Sequence, residues 1–374
     1  MRFLLSGGGT AGHIYPALTV ANLLAEGGRD EVLFVGTPDG LEARLVPEAG
    51  VAFVPISSAG FDRGNPITLV TSGFRVLASV VRSWRLLRTY RPDVVTGFGG
   101  YVSLPVGLAA VITRTPLILH EQNSVPGLAN RLLSRWAGTA AITYESSAKY
   151  LKHPGRAVVT GNPIREAITH STRESGRAAL GLDPGAVVVL VFGGSRGARK
   201  LNESVVRLWP EFSSVPGLQL VHVTGRIDAA SVAEQMAGQV GGGSGAYHLH
   251  EYIDDMGGAI AAADVVVARA GATSIAEITA IGRASVLVPY PYATDDHQTL
   301  NARAVAAGGG AIVVPDAEVE TDAFSSAVLG LVRDSRKRER MASAAAALGR
   351  PDAGRRVAEM VRSAANGRNN KETR

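Results

Sequence analysis

Short apolar runs that end in glycine or a polar cluster alternate along this chain with longer stretches of helical period. In the first half the runs are FLLS, VLFVG, VVTGFGG, LILHEQN and AAITY. In the second they are VVVLVFGGS, LQLVHVTG, YHLHEYI, VVVARAG, SVLVPYP and AIVVP. Runs apolar at nearly every position are buried on both faces, the habit of parallel strands. Strands alternating with helical segments predict βαβ units and an α/β, doubly wound architecture.

The two halves echo each other. A strand at Arg2–Ser6 feeds Gly7-Gly8-Gly9-Thr10-Ala11-Gly12-His13, then a helix with Ile14, Ala17, Leu18, Ala21 and Leu24 on one face. A strand at Val187–Phe192 feeds Gly193-Gly194-Ser195-Arg196-Gly197-Ala198, then a helix with Leu201, Val205, Leu208 and Phe212. Two Rossmann-like domains, their parallel sheets facing across a cleft, are therefore expected. The junction falls near Gly161–Arg173, giving domains over 1–163 and 164–350. An amphipathic helix is expected near 351–365, with Val357, Met360, Val361 and Ala364 on one face. The polar stretch 366–374 reads as a disordered tail.

Composition narrows the class. A chain of 374 residues with 46% hydrophobic and 19% charged residues is globular and well cored. A net charge of +5 is too small to argue for a nucleic-acid partner. The absence of cysteine excludes disulfides, thiolate metal sites and a cysteine nucleophile. The apolar stretch in MRFLLSGGGT is too short for a signal peptide, and no run is long enough to span a membrane. A cytoplasmic protein is expected, with attachment to a surface left open.

Glycine is abundant, 44 residues, and clusters after strands. A glycine turn leading into a helix offers unpaired backbone N–H groups and a favourable dipole to an anion. Residues 7–12 match G-x-G-x-x-G. A dinucleotide site would also want an acidic residue closing the second strand, but Val32–Gly36 runs into Thr-Pro, and Asp39 lies beyond. A third turn, Gly97-Phe98-Gly99-Gly100-Tyr101-Val102-Ser103, puts two anion sites in the first half and one in the second. A diphosphate in each half is the economical expectation.

Polar clusters also follow strands. His120-Glu121-Gln122-Asn123 stands where α/β proteins bind ligands, or is a loop of capping residues. Arg165 in Gly161-Asn162-Pro163-Ile164-Arg165 is a phosphate clamp or a solvated arginine. Glu277, read into the first turn of a helix opening at Arg269-Ala270-Gly271, either caps backbone N–H groups or accepts ribose hydroxyls. Asp295-Asp296 invites a metal, but acids before a helix are more often N-caps.

At this point the chain resembles the MurG glycosyltransferases. The motifs GGGTAGH, GFGGYVSLP, HEQNSVPGLANR, GNPIR, FGGSRGA, EYIDDM, ARAGATSIAE and DDHQTLNA occur in that family's order over about Phe3 to Ala364. Ala11 stands where many members have glycine, and Asp295-Asp296 where amides are common. The resemblance implies a GT-B fold whose C-terminal helix packs back on the first domain. It implies an inverting, metal-independent transfer of GlcNAc from UDP-GlcNAc to the C4 hydroxyl of lipid I, with no cofactor. Carried over by motif, Ser195 and Arg165 contact the diphosphate, and Ile253 touches uracil through its backbone. Ala272, Thr273, Ser274 and Glu277 line the nucleotide, with Glu277 on the ribose. Gln298 contacts the donor sugar or diphosphate. Thr10, Ala11, Gly12 and Asn123 approach the donor from the first domain. Gly9, Gly99, Gly100 and Tyr101 face the lipid diphosphate.

Such a transfer needs a base for the acceptor hydroxyl. His13 is the first candidate, with an ordinary imidazole pKa near working pH; Glu121 is the second, as base or as orienter of His13. The other meaning of His13 is a helix cap. A lipid acceptor also implies a peripheral enzyme on the cytoplasmic face of the cell membrane, with cell-wall synthesis proteins as candidate partners. Residues 63–92 hold no acid and place Arg75, Arg82 and Arg85 on one helix face, with Phe74, Leu77, Val81 and Trp84 on the other. That segment either rests on anionic lipid or buries its apolar side in the core. Competing functions are another UDP-sugar glycolipid transferase, a UDP-GlcNAc epimerase and a non-catalytic sugar-nucleotide or membrane-scaffold protein.

Overall fold

In the first strand, β1 (Arg2–Ser6), Phe3 and Leu5 enter one cluster of buried side chains and Leu4 another. Alternation of that kind, with both sets buried, is what a strand covered on two faces produces. The computed structural model describes residues 1–57, 66–194, 198–239 and 244–372, with the backbone alone at 66–74 and 368–372. It divides into two units, Met1–Arg165 with Pro351–Arg374, and Glu166–Arg350.

The first unit continues with α1 (Ala11–Ala25), β2 (Glu31–Gly36), α2 (Glu42–Glu48), β3 (Ala52–Pro55), α3 (Pro66–Tyr90), β4 (Val94–Gly97) and α4 (Ser103–Ile112). Then come β5 (Leu117–Glu121), α5 (Leu128–Leu133), β6 (Thr139–Ile142) and β7 (Ala157–Val159). The second unit holds α6 (Glu166–Thr169), α7 (Arg173–Leu180), β8 (Val187–Phe192), α8 (Arg199–Ser213), β9 (Leu218–Val223), α9 (Ala229–Ala237) and β10 (Ala246–His250). It goes on through α10 (Met256–Ala262), β11 (Val265–Arg269), α11 (Ala272–Ile281), β12 (Ala284–Val288), α12 (His297–Ala307), β13 (Ala311–Val313), α13 (Asp322–Arg333) and α14 (Ser335–Leu348). The last helix, α15 (Ala353–Glu372), belongs to the first unit.

Among the described residues one sheet has seven strands in the order β3-β2-β1-β4-β5-β6-β7, and the other six in the order β10-β9-β8-β11-β12-β13. All pairings are parallel, in register Leu5↔Phe34 and Leu5↔Thr96 around β1, and Leu190↔Val221 and Val266↔Leu190 around β8. Strand order therefore reverses between β1 and β4 and between β8 and β11. Open α/β sheets bind ligands at such switch points, beyond the carboxyl ends of the strands.

Eleven strands were legible as apolar runs; β3 and β7 were not. Both are edge strands, and their residues are mostly half-buried or exposed, so no apolar run marks them. The junction lies two residues beyond the expected one. Ile164 is buried, and Arg165 lies 5.3 Å from the centre of the Tyr15 ring, so both belong with the first unit. Val357, Ala358, Val361 and Ala365 of α15 pack with Ile14, Ala17, Val20 and Leu24 of α1. Arg362 donates to the carbonyls of Leu23 and Leu24. The helix runs on through Glu372, where a disordered tail was expected from residue 366. The apolar periodicity ends at Ala365, but adding residues to an established helix costs far less than starting one.

Candidate functional site

Both glycine turns of the first unit leave strands at its switch point. Gly9, Gly99 and Gly100 have φ of +84°, +95° and +80°, a region in which any side chain is strained. A Cβ at Gly100 would also collide with the Gly8 carbonyl, so the turns pack directly on each other. Ser103, fully buried, ties them to the sheet: its hydroxyl donates to Gly99 O at 2.7 Å and Ser6 O at 3.0 Å.

His13 occupies the first turn of α1, behind Thr10, Ala11 and Gly12. Its Nδ1 lies 3.0 Å from Gly8 O and 3.1 Å from Thr10 Oγ1. A carbonyl can only accept, so Nδ1 carries the proton of the neutral ring and Nε2 carries the lone pair. The second turn lies against the same ring edge: a Cβ at Gly99 would come 3.0 Å from Nε2. His13 is therefore held by its Nδ1 against the turn that precedes α1.

His120 and Glu121 are the last residues of β5 and lie inside the sheet; they do not form a loop. His120, Glu121 and Gln122 are buried, and only Asn123 is half-buried. The Glu121 carboxylate accepts from Asn123 N at 3.0 Å, Asn123 Nδ2 at 3.4 Å, Gly127 N at 3.1 Å and Asn130 Nδ2 at 2.9 Å. Burial pushes its pKa up and these donors pull it back. Both oxygens are thus committed to shaping the loop at 122–130, which sets Glu121 apart from His13. Gly9 also departs from expectation: its N–H donates at 3.3 Å to Glu42, an acid the motif reading passed over.

In the second unit, α11 starts at Ala272 behind Gly271, so Glu277 stands in its second turn, beyond the position for capping. Glu277 is buried, and the buried Thr273 Oγ1 has no hydrogen-bond partner among the described residues. Ile253 is a core residue, while its neighbour Tyr252 is half exposed beneath Arg226. Gln298 Oε1 accepts from Tyr290 N at 2.9 Å, which leaves the NH₂ of that amide as its donor end. Arg269, at the end of β11, bonds Asp316 at 2.6 Å and the Pro289 carbonyl at 3.2 Å, and so ties down the segment after β12. Asp295 and Asp296 adopt φ of +52° and +51°, a strained pair just before α12. The Asp296 carboxylate accepts the Thr299 hydroxyl at 2.6 Å. Ser195 lies outside the described residues.

The helices that follow the switch-point strands share one feature. α1, α4, α8 and α11 have neither a side-chain cap nor an acid in the first turn, as is also true of α5, α9 and α12. α7, α10, α13 and α14 are capped by Thr172, Asp255, Thr321 and Asp334. Uncapped N-termini beside glycine turns suit anionic ligands.

Each unit also buries a neutral histidine. His120 Nε2 is 3.3 Å from Gly161 O. In the second unit His222 lies between Tyr247 OH, 2.6 Å from Nδ1, and Asn202 Oδ1, 3.0 Å from Nε2. Burial pushes His120 down to about 4 and His222 to about 3. An unfolded histidine takes its proton near pH 6.5, so below that value the unfolded state binds more protons and stability falls with pH. Each unit should lose about 2 kcal/mol between pH 7 and pH 5. Denaturant titrations at the two pH values check this: His222→Asn should reduce the loss in the second unit, where His248 and His250 are also pushed down by burial, and an unchanged slope there would contradict it.

Two parallel-sheet units with glycine turns at both switch points define the GT-B class of glycosyltransferases. Residues 3–142 match the glycosyltransferase family 28 N-terminal domain, and residues 188–357 the C-terminal domain. The UDP-N-acetylglucosamine–N-acetylmuramyl-(pentapeptide) pyrophosphoryl-undecaprenol N-acetylglucosamine transferase of Halothermothrix orenii is 40% identical over 98% of this chain and 100% of its own. The crystal structure of MurG from Acinetobacter baumannii superposes with a TM-score of 0.79 at 28% identity, covering 97% of this chain and 99% of that one. The UDP-GlcNAc 2-epimerase of Neisseria meningitidis bound to UDP-GlcNAc reaches a TM-score of 0.64 at 15% identity, covering 96% and 99%, a likeness of fold alone. The chain belongs to glycosyltransferase family 28 and, within it, to the MurG transferases.

Proposed function

We infer that this chain moves GlcNAc from UDP-GlcNAc to the C4 hydroxyl of MurNAc-(pentapeptide)-pyrophosphoryl-undecaprenol. The observation that carries this is the 40% identity, over essentially both full lengths, to a transferase of that name. The epimerase alternative has only shared architecture in its favour.

The residues suit an inverting displacement. His13 Nε2 takes the proton from the acceptor hydroxyl as its oxygen bonds to C1 of GlcNAc, and the bond from C1 to the UDP oxygen breaks. Negative charge growing on UDP is met by uncapped helix N–H groups and by Arg165, whose guanidinium is held over Tyr15. Ser195 joins these groups by family resemblance. Thr273, Glu277 and Gln298 contact the nucleotide sugar, and Gly99, Gly100 and the exposed Tyr101 face the acceptor diphosphate. Gly9, whose N–H serves Glu42, supports that turn from behind. Single-turnover transfer from labelled UDP-GlcNAc to a lipid I analogue, in the presence of EDTA, tests the assignment. Disaccharide lipid should form. Release of UDP or epimerisation of the sugar without an acceptor would move the chain to another class.

An undecaprenyl acceptor stays in its bilayer, so the enzyme works at a membrane surface. No described helix is long and apolar enough to cross one. The α3 helix supplies a contact. Its inward positions are Ser79, Ser83 and Leu87, and Ser79 Oγ bonds Ser57 O at 2.6 Å. Leu77, Val81 and Trp84 are exposed beside Arg75, Arg82, Arg85 and Arg88, which supports lipid contact over burial of the apolar side in the core. Arg88 lies 5.7 Å from the Trp84 ring centre. Arg63 lies outside the described residues, as does the side chain of Phe74. Basic residues flanking an exposed apolar stripe suit anionic lipid, each arginine contributing about 1 kcal/mol. Replacing Arg75, Arg82 and Arg85 with Gln should lower partition onto anionic vesicles by roughly a hundredfold in flotation assays. Undiminished flotation would remove α3 as the contact.

A further inference from the structure

Glu42 opens the short helix α2, and its side chain is completely buried. Among the described residues no cation pairs with it. Its Oε1 accepts from Thr37 N at 2.9 Å and Thr37 Oγ1 at 2.7 Å, and its Oε2 from Gly9 N at 3.3 Å. Three glycines make room for it: a Cβ at Gly8, Gly36 or Gly40 would collide with the Glu42 side chain.

Burying an unpaired carboxylate is costly, and an apolar side chain could fill a space of this size more cheaply. What the carboxylate does that an apolar group cannot is hold Gly9 N–H from below. Gly8, the preceding residue, lies against the carboxylate, and its carbonyl receives His13 Nδ1–H at 3.0 Å. The second glycine turn closes over the same carbonyl at Gly100. Three sequence segments, at 7–13, 36–42 and 99–100, thus meet at one peptide group.

We propose that Glu42 is a positioning residue for the transfer, holding the Gly7–Gly9 turn so that the Gly8 carbonyl keeps His13 in its Nδ1–H tautomer. This rests on the transferase reading above, in which Nε2 of His13 is the proton acceptor. Glu42 does not touch substrate; it acts through the turn. A displaced turn lets the imidazole rotate or exchange tautomers, and the lone pair leaves the acceptor oxygen.

The test is Glu42→Gln in the full-length chain, which keeps the shape but sets an NH₂ against existing donors. Imidazole ¹⁵N spectra are read with His13→Ala identifying the resonance. The wild type should show Nδ1 protonated, and Glu42→Gln a mixture of tautomers. In the transfer assay kcat should fall about thirtyfold, the scale of a sub-ångström misplacement, with the KM for UDP-GlcNAc within about threefold. A folded Glu42→Gln protein with the wild-type tautomer and kcat within about twofold would overturn the proposal. So would a wild-type His13 protonated on Nε2. If Glu42→Gln does not fold, Thr37→Val, which removes only the hydroxyl donor to Oε1, decides: the same changes at about three- to tenfold support the proposal, and none overturns it. A wild type that transfers no GlcNAc defeats the transferase reading, and the tautomer comparison then judges the positioning role alone.

Discussion

His13→Ala is expected to lose at least about a hundredfold in single-turnover GlcNAc transfer, the usual scale for removing a general base. Binding of UDP-GlcNAc should change little. The loss follows from the Gly8 carbonyl beside Nδ1, which places the proton there and the lone pair on Nε2. His13→Gln can restore a hydrogen bond but not proton uptake near neutral pH, so it should remain impaired. The measurement is rapid-quench transfer with labelled donor, beside a melting curve for each variant. A folded His13→Ala enzyme within about tenfold of wild type would show that no base is needed from this residue.

Glu121→Ala should destabilise the first unit by about 2–4 kcal/mol and silence transfer with it. The carboxylate sits 3% exposed and collects donors from Asn123, Gly127 and Asn130, which lose that acceptor on its removal. Glu121→Gln separates scaffold from base. In the scaffold role its loss of activity tracks its loss of stability, and the acidic limb of the rate profile stays in place. A Glu121→Gln protein with wild-type melting and no activity would move the base to Glu121.

These two residues show where sequence is informative. His13 was legible because the partners of its Nδ1, Gly8 and Thr10, lie within five residues on a turn whose glycines are themselves a signal. Glu121 was visible as chemistry but not as environment. Its burial depends on β4 and β6 flanking β5, and a motif does not carry its neighbours. Glu42 was passed over altogether: as an acid at the start of a short helix it looks like a cap, and its partner Gly9 is 33 residues away. The tie from Arg269 to Asp316, 47 residues on, was hidden for the same reason.

The sequence by itself determined the parallel sheets, through strands apolar on both faces, and the glycine turns after β1, β4 and β8, through the residue that adopts positive φ without strain. It also carried the family, through eight ordered motifs. These are local properties, set by backbone sterics and by the two- and 3.6-residue periods. Tertiary structure decided which faces are covered. For the arc of α3 bearing Leu77, Val81 and Trp84 the sequence left core and lipid contact open, and close packing through Ser79 and Ser83 turns that arc outward. It also decided that Glu42 lies under one glycine turn and that β3 and β7 close the sheet edges. Hydrophobic burial is non-directional: it selects the arrangement that covers most apolar area over the whole unit, and no single helix can reveal which of its sides that arrangement leaves bare.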